Sequence, residues 1–187
     1  MKKLISVVVA LLATFIMAGC GSVELSPQQQ ALISNKTTVY TQVNMWEEKN
    51  RIYGTNYAKG AMIPVNSPVT IVDVTSKAIV FNYKGAEYTY LTFSKHTKAT
   101  SQQLLARLFS TKKVNLGRFT KEERENIKNG VVAIGMSKDA VLIARGYPPF
   151  HVTTSLKDDK WTYWRHRFAR AFVFFKNGKV SSIQGTL

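Results

Sequence analysis

The stretch Ile134-Gly-Met-Ser-Lys-Asp-Ala-Val-Leu-Ile-Ala-Arg-Gly-Tyr-Pro-Pro149 sets the frame for the second half of the chain. Ser137 is a residue type that accepts a backbone N–H at the open end of a helix. Ala140, Val141, Ile143 and Ala144 follow at helical spacing, as an apolar face requires. Gly146 reads as a left-handed C′ residue, and Pro148 and Pro149 prevent continuation. Ser137 with Asp139 therefore reads as a cap and a dipole partner, not as a catalytic pair. Just upstream, Thr120 with Glu123 three residues on forms a capping box, Lys128 suits the helix end and Gly130 closes it. Downstream, residues 160–165, 171–175 and 179–184 read as strands, the last two joined by the turn pair Asn177-Gly178. The expected order is helix, helix, three-stranded meander.

Ahead of this block the period changes to that of β-structure. Residues 37–43, 69–74, 78–83 and 87–93 read as strands, with Lys84-Gly85-Ala86 as a hairpin turn. Residues 60–68 contain Pro64, Asn66 and Pro68 and read as a loop. Within residues 100–110, Leu104, Leu105, Leu108 and Phe109 return to helical spacing behind Thr100 or Ser101 as N-cap. The run from Gly60 to Ile71 resembles the turn that precedes a central strand in SH3-like barrels. The expected fold class is α+β. A small antiparallel, SH3-like β-rich domain with a terminal helix spans 37–111, and an α-α-β-β-β two-layer domain spans 114–187.

The start of the chain bears on location. Lys2 and Lys3 precede fifteen uncharged residues, 4–18. A bilayer span needs roughly 20 apolar residues, so the stretch suits the core of an export signal instead. Ile16-Met-Ala-Gly-Cys20 resembles the bacterial lipobox. That resemblance implies a signal peptide over 1–19 and a lipid anchor on Cys20, the one cysteine of the chain. Gly21, where inner-membrane lipoproteins commonly carry Asp, implies the periplasmic face of the outer membrane. Residues 20–36, with Pro27 and three consecutive Gln, read as a lipidated tether with one short helical turn.

Four pieces of the second half occur together and in order. They are Gly135-Met136-Ser137 before the capped helix, Gly146-Tyr147-Pro148 after it, Trp161-Thr-Tyr163 on a strand, and Gly178-Lys179-Val180 at the last hairpin. In this order and spacing they resemble the SmpA/OmlA (BamE-like) family over about residues 114–187. The resemblance implies a binding protein that supports outer-membrane protein assembly or envelope integrity. Its implied partners are envelope proteins, among them the β-barrel assembly machinery, and anionic lipid. The residues expected to make the partner or lipid contact are Tyr147, Pro148 and Pro149 on the loop, with Trp164, Arg165 and Arg167 on the strand and turn. The residues ahead of the match are additional to the family's short domain and leave the partner open.

Composition narrows the classes further. The chain has 26 Lys+Arg against 11 Asp+Glu, a net charge of +15. Loss of residues 1–19 would leave +13, of which +9 lies in residues 111–187 and +4 in 21–110. Arg165, His166, Arg167 and Arg170 cluster beside aromatic residues, a solvated turn or a patch for anionic groups. There is no Gly-x-Ser-x-Gly elbow, Walker loop, His-Glu-x-x-His or cysteine pair. His96, His151 and His166 are far apart in sequence and read as surface residues, and Asp158-Asp159 as a turn pair. The reading is therefore of a non-enzyme with no cofactor and no metal site, and export excludes nucleic acid as partner. Two other readings stay open. One is peptidoglycan binding through Tyr53, Tyr57, Tyr83, Tyr88 and Tyr90, which retention on purified cell wall would single out. The other is a hydrolase-inhibitor-like module, which enzyme inhibition would single out.

Overall fold

Two β-sheets, each with its own apolar core, organise the chain, in a computed structural model that describes residues 23–33, 37–55, 59–166 and 168–187. The protein is α+β. Cys20, Tyr57 and Arg167 lie outside the described residues.

The first sheet is curled and has eight strands: β1 (Val39–Thr41), β2 (Met45–Glu48), β3 (Arg51–Tyr53), β4 (Ala61–Ile63), β5 (Pro68–Val74), β6 (Ala78–Tyr83), β7 (Ala86–Leu91) and β8 (Phe109–Ser110). Their order is β4-β2-β3-β7-β6-β5-β1-β8. Period-two burial in β5 and β6 sends Val69, Ile71, Ile79 and Phe81 inward. The β6–β7 turn is the expected hairpin. Lys84 (φ 50°) and Gly85 (φ 81°) are both left-handed, as a twist-matched two-residue turn requires. Helix α2 (Ser94–Thr97) and helix α3 (Ser101–Leu108) follow. Thr100 caps α3 in a capping box with Gln103, and Leu104, Leu105 and Leu108 close the core.

Three expectations change here. Residues 60–68 are not all loop, because β4 pairs with β2 in register Met45↔Ile63. The sheet is not purely antiparallel, because β3 runs parallel to β7. Residues 25–33, read as part of a tether with one short helical turn, do hold that turn but are docked, with Leu25, Leu32 and Ile33 packed on the core. Helix α1 (Pro27–Gln30) starts there with Ser26 as cap, and Gln29 donates to the Gln102 carbonyl while Gln102 donates to that of Glu24. The leucines and isoleucine flanking three glutamines carry that docking, and they outweigh the polar composition.

The second unit is built as the helix grammar predicts. A 3₁₀ turn (Leu116–Arg118) leads to α4 (Lys121–Asn129) and α5 (Lys138–Arg145), then β9 (Lys160–His166), β10 (Ala169–Lys176) and β11 (Lys179–Gln184) in order β11-β10-β9. Both helices pack on one face of this sheet, over Trp161, Tyr163, Val173, Phe175 and Val180. Ala140, Val141 and Ala144 fill the space opposite, fully buried. Asn177 (φ 53°) and Gly178 (φ 75°) make the final hairpin turn. Gly146 is a correction of detail: at φ 79°, ψ −176° it is extended with positive φ, not left-handed helical. That geometry is open only to glycine, and it throws Tyr147 toward the first unit.

The two cores meet along a polar seam. Asn44 lies in the short link between β1 and β2 and is 2% exposed. Its Nδ2 donates to the carbonyls of Ile127 (2.6 Å) and Ala144 (3.1 Å), and its backbone N–H donates to Ile143 (2.9 Å). Its Oδ1 accepts from Val65 N–H at 2.7 Å. One asparagine thus satisfies end carbonyls of both α4 and α5, groups that a helix leaves without internal partners. Among the described residues no helix is long and apolar enough to cross a bilayer.

Candidate functional site

Tyr147, Pro148 and Pro149 leave α5 directly above the seam, and with it they line a cavity of about 580 Å³. Its walls from the first unit include Val43, Met45, Ile52, Leu104 and Leu108. These are buried members of the first unit's apolar core that border the cavity. Arg107, Arg145 and Lys157 contribute to the lining, and no Asp or Glu does. The size lies within the roughly 300–1,000 Å³ common for small-molecule sites.

Two arginines are held differently. Arg145, the last residue of α5, is buried; its Nη1 donates to the Gly130 carbonyl and its guanidinium lies 4.9 Å from the Trp46 ring centroid. Arg107 is exposed on α3 and stacks 5.6 Å from the Tyr147 ring. Burial raises the Tyr147 phenol above its usual 10.0, with Arg107 opposing. The Tyr90 phenol, fully enclosed at the cavity wall, is pushed well up by burial, again against Arg107.

Trp164 and Arg165 lie farther along the seam. Trp164 meets His96 of α2 (ring centroids 5.7 Å) and His151 of the loop after Pro149 (5.0 Å), and the two imidazoles are 4.7 Å apart. His151 is exposed, as expected of a surface histidine, and His96 is half-buried; the fold brings both onto one tryptophan. Phe150 N–H donates to the His96 carbonyl at 2.8 Å, which ties the loop to α2. Burial, then the His151 and Lys95 charges, hold His96 below its ordinary 6.5. Nδ1 of His96 and Nε1 of Trp164 are buried and have no hydrogen-bond partner among the described residues. Arg165 is exposed and lines a second hollow of about 300 Å³ with Tyr53, Phe93, His96 and His166. Tyr53 borders both cavities, so Tyr147, Pro148, Pro149, Trp164 and Arg165 share one seam.

The second face of the sheet is partly open: Lys160 and Arg170 are exposed, Trp164, Phe172 and Phe174 half-buried, and Thr162 is buried. Register pairs Arg170 with Trp164, Phe172 with Thr162 and Phe174 with Lys160, all on the side away from α4 and α5. Lys160 Nζ lies 4.5 Å from the Phe172 ring and 5.6 Å from that of Phe174, and Arg170 lies 5.7 Å from Trp164. Residues 160–187 carry no Asp or Glu. This explains why a strand with Trp161 and Tyr163 in the core also carries Trp164 outside: both faces have aromatic neighbours. Sequence reasoning missed Arg107, Arg145, Trp46 and Asn44. A lone Asn between two strands and a cation at a helix end carry no pattern until the units meet. Among the described residues, no three His, Cys, Asp or Glu side chains come close enough to hold a metal ion.

Compared with known proteins, the chain finds no match to a family model, a curated protein or a solved structure.

Proposed function

We propose that the protein is a non-catalytic binding lipoprotein of the bacterial envelope, anchored through lipid on Cys20 at the periplasmic face of the outer membrane. Its basic, aromatic sheet face engages anionic lipid headgroups and envelope protein partners. In this reading the second unit is a BamE-like domain and the curled sheet an SH3-like relative carried ahead of it. The role is support of outer-membrane protein assembly or envelope integrity.

The observation that carries the reading is the outer face of β9–β11. Lys160 and Arg170 sit over Phe172, Phe174 and Trp164, and Arg165 is exposed at the end of β9 with no acidic residue on any of the three strands. Cations near an acidic membrane contribute about 1 kcal/mol each, and the rings offer amphipathic area at the headgroup level. A lipid on Cys20 raises the local concentration of this face at the membrane. Weak contacts then become effective ones.

A photo-crosslinking residue in place of Arg165, in cells carrying the full chain, tests the reading. Expected are crosslinks to envelope proteins or lipid, and release of the Cys20→Ser protein from the membrane fraction. Crosslinks to cytoplasmic proteins, or unchanged membrane attachment of Cys20→Ser, would overturn it.

A further inference from the structure

The cavity between the two cores has a chemistry that the sheet-face reading leaves unused. Its walls are aliphatic side chains from the core of the curled sheet on one side and Pro148 and Pro149 on the other. A hydrocarbon body against these aliphatic side chains loses water contact, which is favourable at roughly 25 cal/mol per Å² of buried apolar surface. A purely apolar ligand would need nothing more. This lining adds Arg107, Arg145 and Lys157 and no carboxylate, so its field favours a negative charge.

Arg107 is the residue placed to meet that charge. It stands on α3, one turn beyond the wall residue Leu104, with its guanidinium 5.6 Å from the Tyr147 ring centroid, and it lines the cavity with Tyr90. None of the ion pairs among the described residues involves it. The Tyr147 ring face lies beside this cation at 5.6 Å, and a guanidinium can meet an anionic oxygen pair with two parallel N–H groups.

We propose that this cavity binds a single-chain amphiphilic anion, its alkyl chain along Val43, Met45, Ile52 and Leu104 and its charged head on Arg107. The chemistry fits a long-chain carboxylate or alkyl phosphate equally. The site is separate from the membrane-facing sheet, and it makes the protein a carrier or sensor of such a molecule in addition to a surface binder.

The test uses the mature chain with Cys20→Ser and titrates it with hexadecanoate, hexadecyl phosphate, hexadecanol and inorganic phosphate. Trp46, at the cavity wall, provides a fluorescence readout, and calorimetry gives a second. Expected is saturable binding of one equivalent of either long-chain anion, with hexadecanol about tenfold weaker, equal to roughly 1.4 kcal/mol, and no response to inorganic phosphate. Arg107→Gln, an exposed substitution that leaves both cores untouched, is expected to bring acid and alcohol to within about twofold of each other. Leu104→Trp is expected to abolish binding by filling the chain site. Lys160→Glu with Arg170→Glu is expected to leave chain binding unchanged while reversing the sheet-face charge. Absence of saturable binding, equal affinity for acid and alcohol in the parent protein, or an undiminished acid preference in Arg107→Gln would each overturn the proposal.

Discussion

Glu123 joins two helix starts through one carboxylate. Oε2 accepts the Thr120 N–H at 3.0 Å, completing the capping box of α4, while Oε1 accepts the Ser137 N–H at 2.8 Å at the cap of α5. The side chain is 8% exposed. Burial alone would raise its pKa, but the donations from Ser137 and Thr120 prevail and hold it below its ordinary 4.5. A carboxyl group with a lowered folded-state pKa contributes its stability in full above 4.5, and that contribution is lost as pH falls through the folded value. Glu123→Gln is expected to lower stability at pH 7 by about 1–3 kcal/mol, the range for a buried charge-assisted bond. In urea unfolding the gap between parent and variant should narrow as pH drops below 4.5. A constant gap from pH 7 to pH 3 would show that the charge does not act through these bonds. The first half of this arrangement is legible in the sequence, since Thr120 and Glu123 have capping-box spacing. The second half is not: nothing local links Glu123 to Ser137, fourteen residues on.

At the scale of elements, what could be read were units that specify themselves. Capped helices α4 and α5 and the hairpins turning at Lys84-Gly85 and Asn177-Gly178 carry their own start and stop residues, and they occur where expected. Strands β2, β3 and β4 were not read. Each has three or four residues, too few for a period, and each is held by partners remote in sequence, including the parallel pairing of β3 with β7. Gly60 marks the one local clue, because a side chain there would collide with the Glu47 carbonyl of β2. Gly130 shows how an element end also serves the whole. At φ 65° it closes α4, and a Cβ would lie 2.6 Å from Trp46 of the other unit. Gly130→Ala is expected to cost more than the roughly 1–2 kcal/mol of left-handed strain alone. Gly178→Ala, at φ 75° but facing open space, should cost only that strain. Thermal unfolding of the two variants compares them directly, and equal losses would mean that the Trp46 contact imposes nothing.

For the whole molecule, charge and placement matter more than any single element. The excess of cations over acids is concentrated after residue 111, and the acid-free run 160–187 puts part of it on a single sheet face. That concentration was legible in composition. The seam was not, because Asn44, Trp46, Arg145 and the His96–His151–Trp164 cluster acquire meaning only when the two cores meet. Of the residues singled out from sequence, Tyr147, Pro148, Pro149, Trp164 and Arg165 do gather along this seam, whereas Cys20 and Arg167 lie outside the described residues. The central claim is that the face of β9–β11 binds anionic surfaces. Its most direct measurement is co-flotation of the Cys20→Ser mature chain with vesicles of phosphatidylglycerol and phosphatidylcholine, set against phosphatidylcholine alone. Expected is binding to the anionic vesicles only, weakened by salt as surface charge is screened and lost in Lys160→Glu with Arg170→Glu. Equal binding to both vesicle types, or undiminished binding by the charge-reversed variant, would contradict it.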